Sequence, residues 1–175
     1  VWEYMQANFD ETNDYWFIDK LKYLDQCIGL KDRNGKLIYK GDIVELSEAY
    51  EDGIYLILIS GYRSAAHQKE VYDAYQADKG TKYADSIAAR TGYSEHQTGL
   101  ALDIYSKECT SQAKFHESKS YEWLINNSYK FGFILRYPKD KQNITGYNYE
   151  SWHYRYLGKE LAKKVLQEDL TEVDF

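Results

Sequence analysis

Ile54-Tyr55-Leu56-Ile57-Leu58-Ile59-Ser60, followed at once by Gly61-Tyr62-Arg63-Ser64, is the stretch that decides how this chain folds. An apolar run of this length, with Gly53 before it and Gly61 after it, reads as a β-strand. Its nearly continuous apolar character implies burial on both faces and a central place in a sheet. Ser64 can then cap a helix running to about Asp78, with Val71, Tyr72 and Tyr75 on one face and Gly80 past its end. Gly61-Tyr62-Arg63 therefore falls at a strand-to-helix junction, where side chains project from a rigid scaffold.

Downstream, Leu100 to Tyr105 alternates: Leu102 and Ile104 point one way, and Ala101, Asp103 and Tyr105 the other. Ser118 or Ser120 opens a helix over Tyr121 to Phe131 that Gly132 closes. Ser151 to Tyr156 alternates again, with Trp152, Tyr154 and Tyr156 opposite His153 and Arg155, and a last amphipathic helix runs from Lys159 to about Gln167. Upstream, Asn34-Gly35 is a turn signal before a short strand, Lys36 to Tyr39. Asp42 and Glu45 form a capping box for a helix that carries Ile43, Leu46 and Tyr50 and stops at Gly53. Ile43-Val44 could instead end a hairpin. Because strands and helices do not alternate strictly, the expected class is α+β, a central and largely antiparallel sheet flanked by helices.

The 175 residues contain no repeat, low-complexity tract or linker, so they read as one domain: residues 1–49 an accessory segment packed on the core, residues 50–175 the functional part. A net charge of −6 argues against a nucleic-acid partner, which calls for a basic stripe. No apolar run approaches the roughly 20 residues that span a bilayer, and no signal peptide opens the chain. The sequence starts at Val1 without a methionine, so an upstream anchor or export signal could have been trimmed. Cys27 and Cys109 could pair in an oxidising compartment or stay as thiols; neither lies in a CxxC pair, so a sulfur-rich zinc site is not available.

Four short stretches carry the chemistry: Ser60-Gly61-Tyr62-Arg63-Ser64, Ser94-Glu95-His96, Gly99-Leu100-Ala101-Leu102-Asp103 and Glu150-Ser151-Trp152-His153. His96 and Asp103 alone are as easily a capping histidine and a solvated aspartate. Glu150 and His153 alone are no stronger: three apart on a strand they face opposite sides, so Glu150 is expected on a turn before the strand begins. Taken together, two imidazoles and a carboxylate suit zinc with a fourth position open, and a nearby carboxylate can take a proton from water. The set reads as metal-assisted hydrolysis.

These motifs resemble the VanY-type D-alanyl-D-alanine carboxypeptidase family, zinc peptidases that trim bacterial cell-wall peptides. The family pattern SGYRS, SxHxxGxAxD and ExWHxxY is met by Ser60 to Ser64, Ser94 to Asp103 and Glu150 to Tyr156. Gly132-Phe133-Ile134-Leu135-Arg136-Tyr137-Pro138 and Ile144-Thr145-Gly146-Tyr147 are also similar to it, including its bifunctional VanXY-like members. The resemblance covers roughly residues 50 to 160. It implies that His96, Asp103 and His153 bind zinc, that Glu150 is the catalytic base, and that Arg63 polarises the scissile carbonyl. Gln68 and Ser94 match positions that hold the peptide's terminal carboxylate or backbone, and Tyr149 beside Glu150 could line the pocket. His67 reads as structural or as support for the site, and His116 as exposed.

The implied substrate is the stem peptide of peptidoglycan, with an extracytoplasmic address, or a cytoplasmic one if precursors are cut. L,D-carboxypeptidase action on tetrapeptides and D,D-dipeptidase action on free D-Ala-D-Ala are the alternatives, and the loops at 106–120 and 136–149 would decide among them. A non-catalytic wall-binding domain would lack Glu150 or Arg63, and a phage endolysin peptidase would share the same metal site.

Overall fold

The computed structural model describes residues 27–31, 37–39, 43–44, 52–109 and 111–168. Two short strands, β1 (Cys27–Lys31) and β2 (Leu37–Tyr39), pair antiparallel. Among the described residues the main sheet has five strands: β3 (Ile43–Val44), β4 (Leu56–Ser60), β5 (Ala101–Ser106), β6 (Phe133–Tyr137) and β7 (Glu150–Tyr156). Their order is β3-β4-β5-β7-β6, and every pairing is antiparallel. With the helices α1 (Ala65–Lys79), α2 (Thr81–Ile87), α3 (Lys119–Asn127), α4 (Gln142–Thr145) and α5 (Lys159–Gln167), this is the expected α+β architecture.

Three differences from the sequence reading have physical causes. Ile43-Val44 is a strand paired with Leu56-Ile57, not the start of a helix; the β-branched pair takes the sheet edge. The rest of that expected helix, like the Asn34-Gly35 turn and most of residues 1–49, lies outside the described residues. β4 is interior, but the centre of the sheet is β5. Nor is β4 buried on both faces: Leu56 and Leu58 are buried, while Ile57 and Ile59 are half-buried on the side that carries the site. Cys109 is a free, half-buried thiol.

One face of the sheet packs the core. Leu56, Leu58, Leu102, Ile104 and Tyr154 meet Phe115, Trp123 and Leu124 there. Phe115 comes from a 3₁₀ segment, Gln112–Glu117, that leads into α3, whose N-cap Ser118 accepts from Tyr121 N–H. The chain leaves α3 through a second 3₁₀ turn ending at Gly132, which takes a φ of 87°. α1 starts where expected, with Ser64 Oγ accepting from His67 N–H at 3.2 Å. α1 and α2 share a separate apolar contact through Tyr72, Ala84 and Ala88. The other face of β4, β5 and β7, away from Leu102 and Ile104, carries the polar side chains of the site beside the half-buried Ile57.

Candidate active site

The site is a transverse row across the sheet. Asp103 on β5 lies directly opposite His153 on β7 and, on its other side, opposite Ser60 on β4. Directly opposed residues of antiparallel strands put their side chains on the same face. Ser60 joins that row because the β4–β5 register shifts between Leu58 and Ser60, a bulge that turns it off the core face.

Glu150 is brought in by the same device. It is the first residue of β7 rather than part of a preceding turn, which corrects the sequence expectation. Between the pairs Leu135↔Tyr154 and Tyr137↔Glu150, four steps along β7 face two along β6. That irregularity cancels the strict alternation and lets Glu150 share a side with His153, its Oε2 3.8 Å from Nδ1.

His96 arrives from a different direction. It sits in a 3₁₀ turn, Glu95–Thr98, that ends at Gly99 with a left-handed φ of 74°, a conformation open to glycine. The turn is laced to the β4–α1 junction: Arg63 N–H donates to His96 O at 3.0 Å, and His96 Nδ1 lies 2.7 Å from Gly61 O. His96 Nε2 is then 3.3 Å from Asp103 Oδ2, and His153 Nδ1 is 3.1 Å from Asp103 Oδ1. The two imidazoles meet edge to face with centroids 4.9 Å apart. Donor atoms of His96, Asp103 and His153 all lie within 4.8 Å of one another.

This donor set fits zinc. It is two imidazole nitrogens and one carboxylate, and His96 has its other nitrogen against a backbone carbonyl, the support a metal-bound histidine needs. The charges fit as well. Three carboxylates, Asp103, Glu95 and Glu150, crowd two imidazoles. Burial raises Glu150 to about 8, with His153 lowering it and Asp103 raising it further; only 6 % of the residue is exposed. Burial opposes the charge on Asp103, yet the two imidazoles hold its carboxyl well below the usual range. Burial lowers His153 while hydrogen bonds to Asp103 and Glu95 lift it, with a net rise to about 9. A divalent cation among these carboxylates would favour the ionised form of Glu150.

Arg63 reaches the same space, with Nη2 3.6 Å from Asp103 Oδ2. Its guanidinium is fixed from two sides, Nη2 donating to Ser60 Oγ at 3.0 Å and Nη1 to Gln68 Oε1 at 2.9 Å. Gln68 is fully buried and its amide nitrogen donates to Ala89 O, which anchors the amide whose oxygen holds Arg63. Ser94 is buried at the pocket wall. Tyr149, by contrast, is not among the pocket-lining residues. Its ring meets that of His116, with centroids 6.1 Å apart. Tyr147 and Tyr137 line the pocket instead, joined by Tyr75 and Trp152. His67 is on the exposed face of α1, 3.3 Å from Glu70, and takes no part. Two residues not singled out in the sequence do take part: Glu95, with Oε2 3.4 Å from His153 Nε2, and Arg136, whose Nε donates to Glu95 Oε1.

An antiparallel sheet and the turns beside it, which bring two histidines, an aspartate, a buried glutamate and a clamped arginine into one cleft, define a metallopeptidase-like site. The model of the VanY D-alanyl-D-alanine carboxypeptidase family matches residues 42–159, and the chain belongs to that family. A D-alanyl-D-alanine carboxypeptidase of Enterococcus faecalis (strain ATCC 700802 / V583) is 40 % identical over 141 residues, covering 75 % of this chain and 50 % of the relative. Among solved structures, the LdcB LD-carboxypeptidase superposes with a TM-score of 0.67 at 44 % identity, covering 71 % of this chain and 59 % of that one. A zinc complex of the vancomycin-resistance D,D-pentapeptidase VanY also gives 0.67, at 36 % identity, covering 87 % and 90 %. The chain spans about half the length of the curated relatives it matches. No helix among the described residues is long and apolar enough to cross a membrane.

Proposed function

We propose that this chain is a zinc-dependent D-alanyl-D-alanine carboxypeptidase that removes the terminal D-alanine from peptidoglycan stem peptides or their precursors. The observation that carries this reading is the buried Glu150 carboxylate, 3.8 Å from a candidate ligand nitrogen of His153 and in a pocket shared with the fixed Arg63 guanidinium. His96, Asp103 and His153 would hold the zinc. When bound, the ion supplies Lewis-acid polarisation and acidifies a water molecule.

The remaining work falls to the chain's own residues. Glu150 takes the proton of the attacking water and returns it to the departing amine of D-alanine. Its ionisation is suppressed by burial and is favoured when positive charge enters the pocket, so the base is available when the site is loaded. Arg63 faces the carbonyl oxygen that gains charge during attack; its fixed, permanently charged fork is suited to that task. Ser94 and the Tyr137 and Tyr147 rings form the walls that receive a small, polar peptide end, and Gln68 keeps Arg63 in register. Since stem peptides lie outside the membrane, an extracytoplasmic address goes with this reading.

Removal of D-alanine from a tetrapeptide is the second reading, favoured by the likeness to the LdcB LD-carboxypeptidase. Chromatography of products from pentapeptide, tetrapeptide and free D-Ala-D-Ala, with and without a chelator, tests both. D-alanine release from pentapeptide, lost on chelation and restored by zinc, is expected. Release from tetrapeptide alone would favour the second reading, and chelator-insensitive activity would overturn the metal site.

A further inference from the structure

His153 has a carboxylate at each ring nitrogen. Asp103 Oδ1 lies 3.1 Å from Nδ1 and Glu95 Oε2 lies 3.4 Å from Nε2. A neutral imidazole carries one N–H, and the other nitrogen must offer its lone pair to a metal. Asp103, left alone, would draw that hydrogen onto Nδ1, the nitrogen that points at Asp103 and Glu150 and into the ligand cluster. Glu95 is the competing acceptor. Its other oxygen, Oε1, is held by Arg136 Nε from β6, and Arg155 Nη1 stands 4.0 Å from Oε2. Its side chain is only 15 % exposed, so water does not readily replace it.

We propose that Glu95, locked by Arg136, is a positioning residue for zinc: it holds the hydrogen of His153 on Nε2 and thereby presents the Nδ1 lone pair to the metal. Glu95 sits beside His96 in sequence but serves the other imidazole, so one 3₁₀ turn governs both histidines. This inference rests on the metal reading given above and assigns a task to two residues outside the ligand set. Removing such an outer partner typically costs 10–100-fold in metal affinity.

The geometry dictates a sharper outcome than simple loss. In Glu95→Gln, the donor Arg136 Nε demands the amide oxygen on its own side. The amide NH₂ is then left facing His153 Nε2, which must become an acceptor, and the hydrogen moves to Nδ1. Replacing Arg136 by methionine keeps an apolar stem and removes that demand, so the amide can turn its oxygen to His153.

Zinc dissociation constants by competition with a chromophoric chelator, measured on the full chain with folding checked by circular dichroism, test this. Glu95→Ala and Glu95→Gln are expected to weaken zinc binding roughly 10–100-fold. The double variant Glu95→Gln with Arg136→Met is expected to return to within a few-fold of Arg136→Met alone. Wild-type affinity in Glu95→Gln, or a double variant that loses affinity additively, would overturn the proposal. The near-isosteric glutamine variant and its double keep the test decisive if the alanine variant fails to fold. A wild-type chain that binds no zinc would instead sink the metal reading itself.

Discussion

Two side chains in the cleft, Glu150 and Arg63, are asked to do chemistry without holding the metal, and each can be separated from the ligand set. Glu150→Gln keeps the shape of the carboxylate but cannot take a proton. It is expected to bind zinc as the wild type does while kcat falls about 10²–10⁴-fold, the usual range for a lost general base. Zinc stoichiometry alongside turnover checks this, and a fully active variant refutes the role. Arg63→Lys keeps the charge but loses the fork that Ser60 and Gln68 hold in place. A lysine ammonium on a flexible stem cannot reproduce that geometry, and a fall in kcat of about 10²–10³-fold is expected, comparable to the loss of one oxyanion donor. A drop confined to KM would point to substrate binding instead.

At the scale of elements, the site depends on short junctions. Gly132 joins the 3₁₀ turn after α3 to β6 with a φ of 87°, and a Cβ there would lie 2.6 Å from Tyr156 Cε2 and 3.1 Å from the Gly158 backbone. The tyrosine ring could shift, but the backbone and the left-handed φ cannot. Gly132→Ala is therefore expected to lose at least about 1–2 kcal/mol of stability, read as a lower urea midpoint. The α1–α2 pair is tied by Asp85, which accepts from Arg90 Nε and Nη2 at 2.8 and 2.9 Å and from Tyr72 Oη at 2.7 Å. Those bonds, Arg90's first, lower its carboxyl to about 2. A depressed carboxylate contributes stability above its unfolded pKa, near 4, and loses it as pH falls through the folded value. Asp85→Asn should thus be less stable than the wild type at pH 7, with the gap in urea midpoint shrinking between about pH 4 and pH 2. Asp85 and Arg90 are exposed, so the gap is small; one that persists unchanged at low pH contradicts the assignment.

Over the whole molecule, most of what places the site was legible because it obeys simple periods. The apolar run ending at Ser60, the alternation around Asp103, the cap at Ser64 and a cap at Ser118 or Ser120 each belong to a local rule, and each forms in the structure, the last at Ser118. What escaped is non-local. The irregular pairings that turn Ser60 and Glu150 towards the cleft depend on how neighbouring strands align, which no single strand encodes. Arg136 and Glu95 meet across 41 positions of sequence, and nothing in either segment announces the other. Tyr149 and Tyr147 look equivalent in sequence, yet Tyr147 lines the pocket and Tyr149 does not. The transverse row has a mechanical consequence. Because Asp103 and His153 are partners across adjoining strands, an ion shared between them rivets β5 to β7 laterally, so metal content and local breathing of the sheet are thermodynamically linked. Zinc at about 100 times its dissociation constant adds about 2.7 kcal/mol to any opening that separates the rivet, which should slow deuterium uptake at Ala101–Asp103 and His153–Arg155 selectively while leaving α5 unaffected.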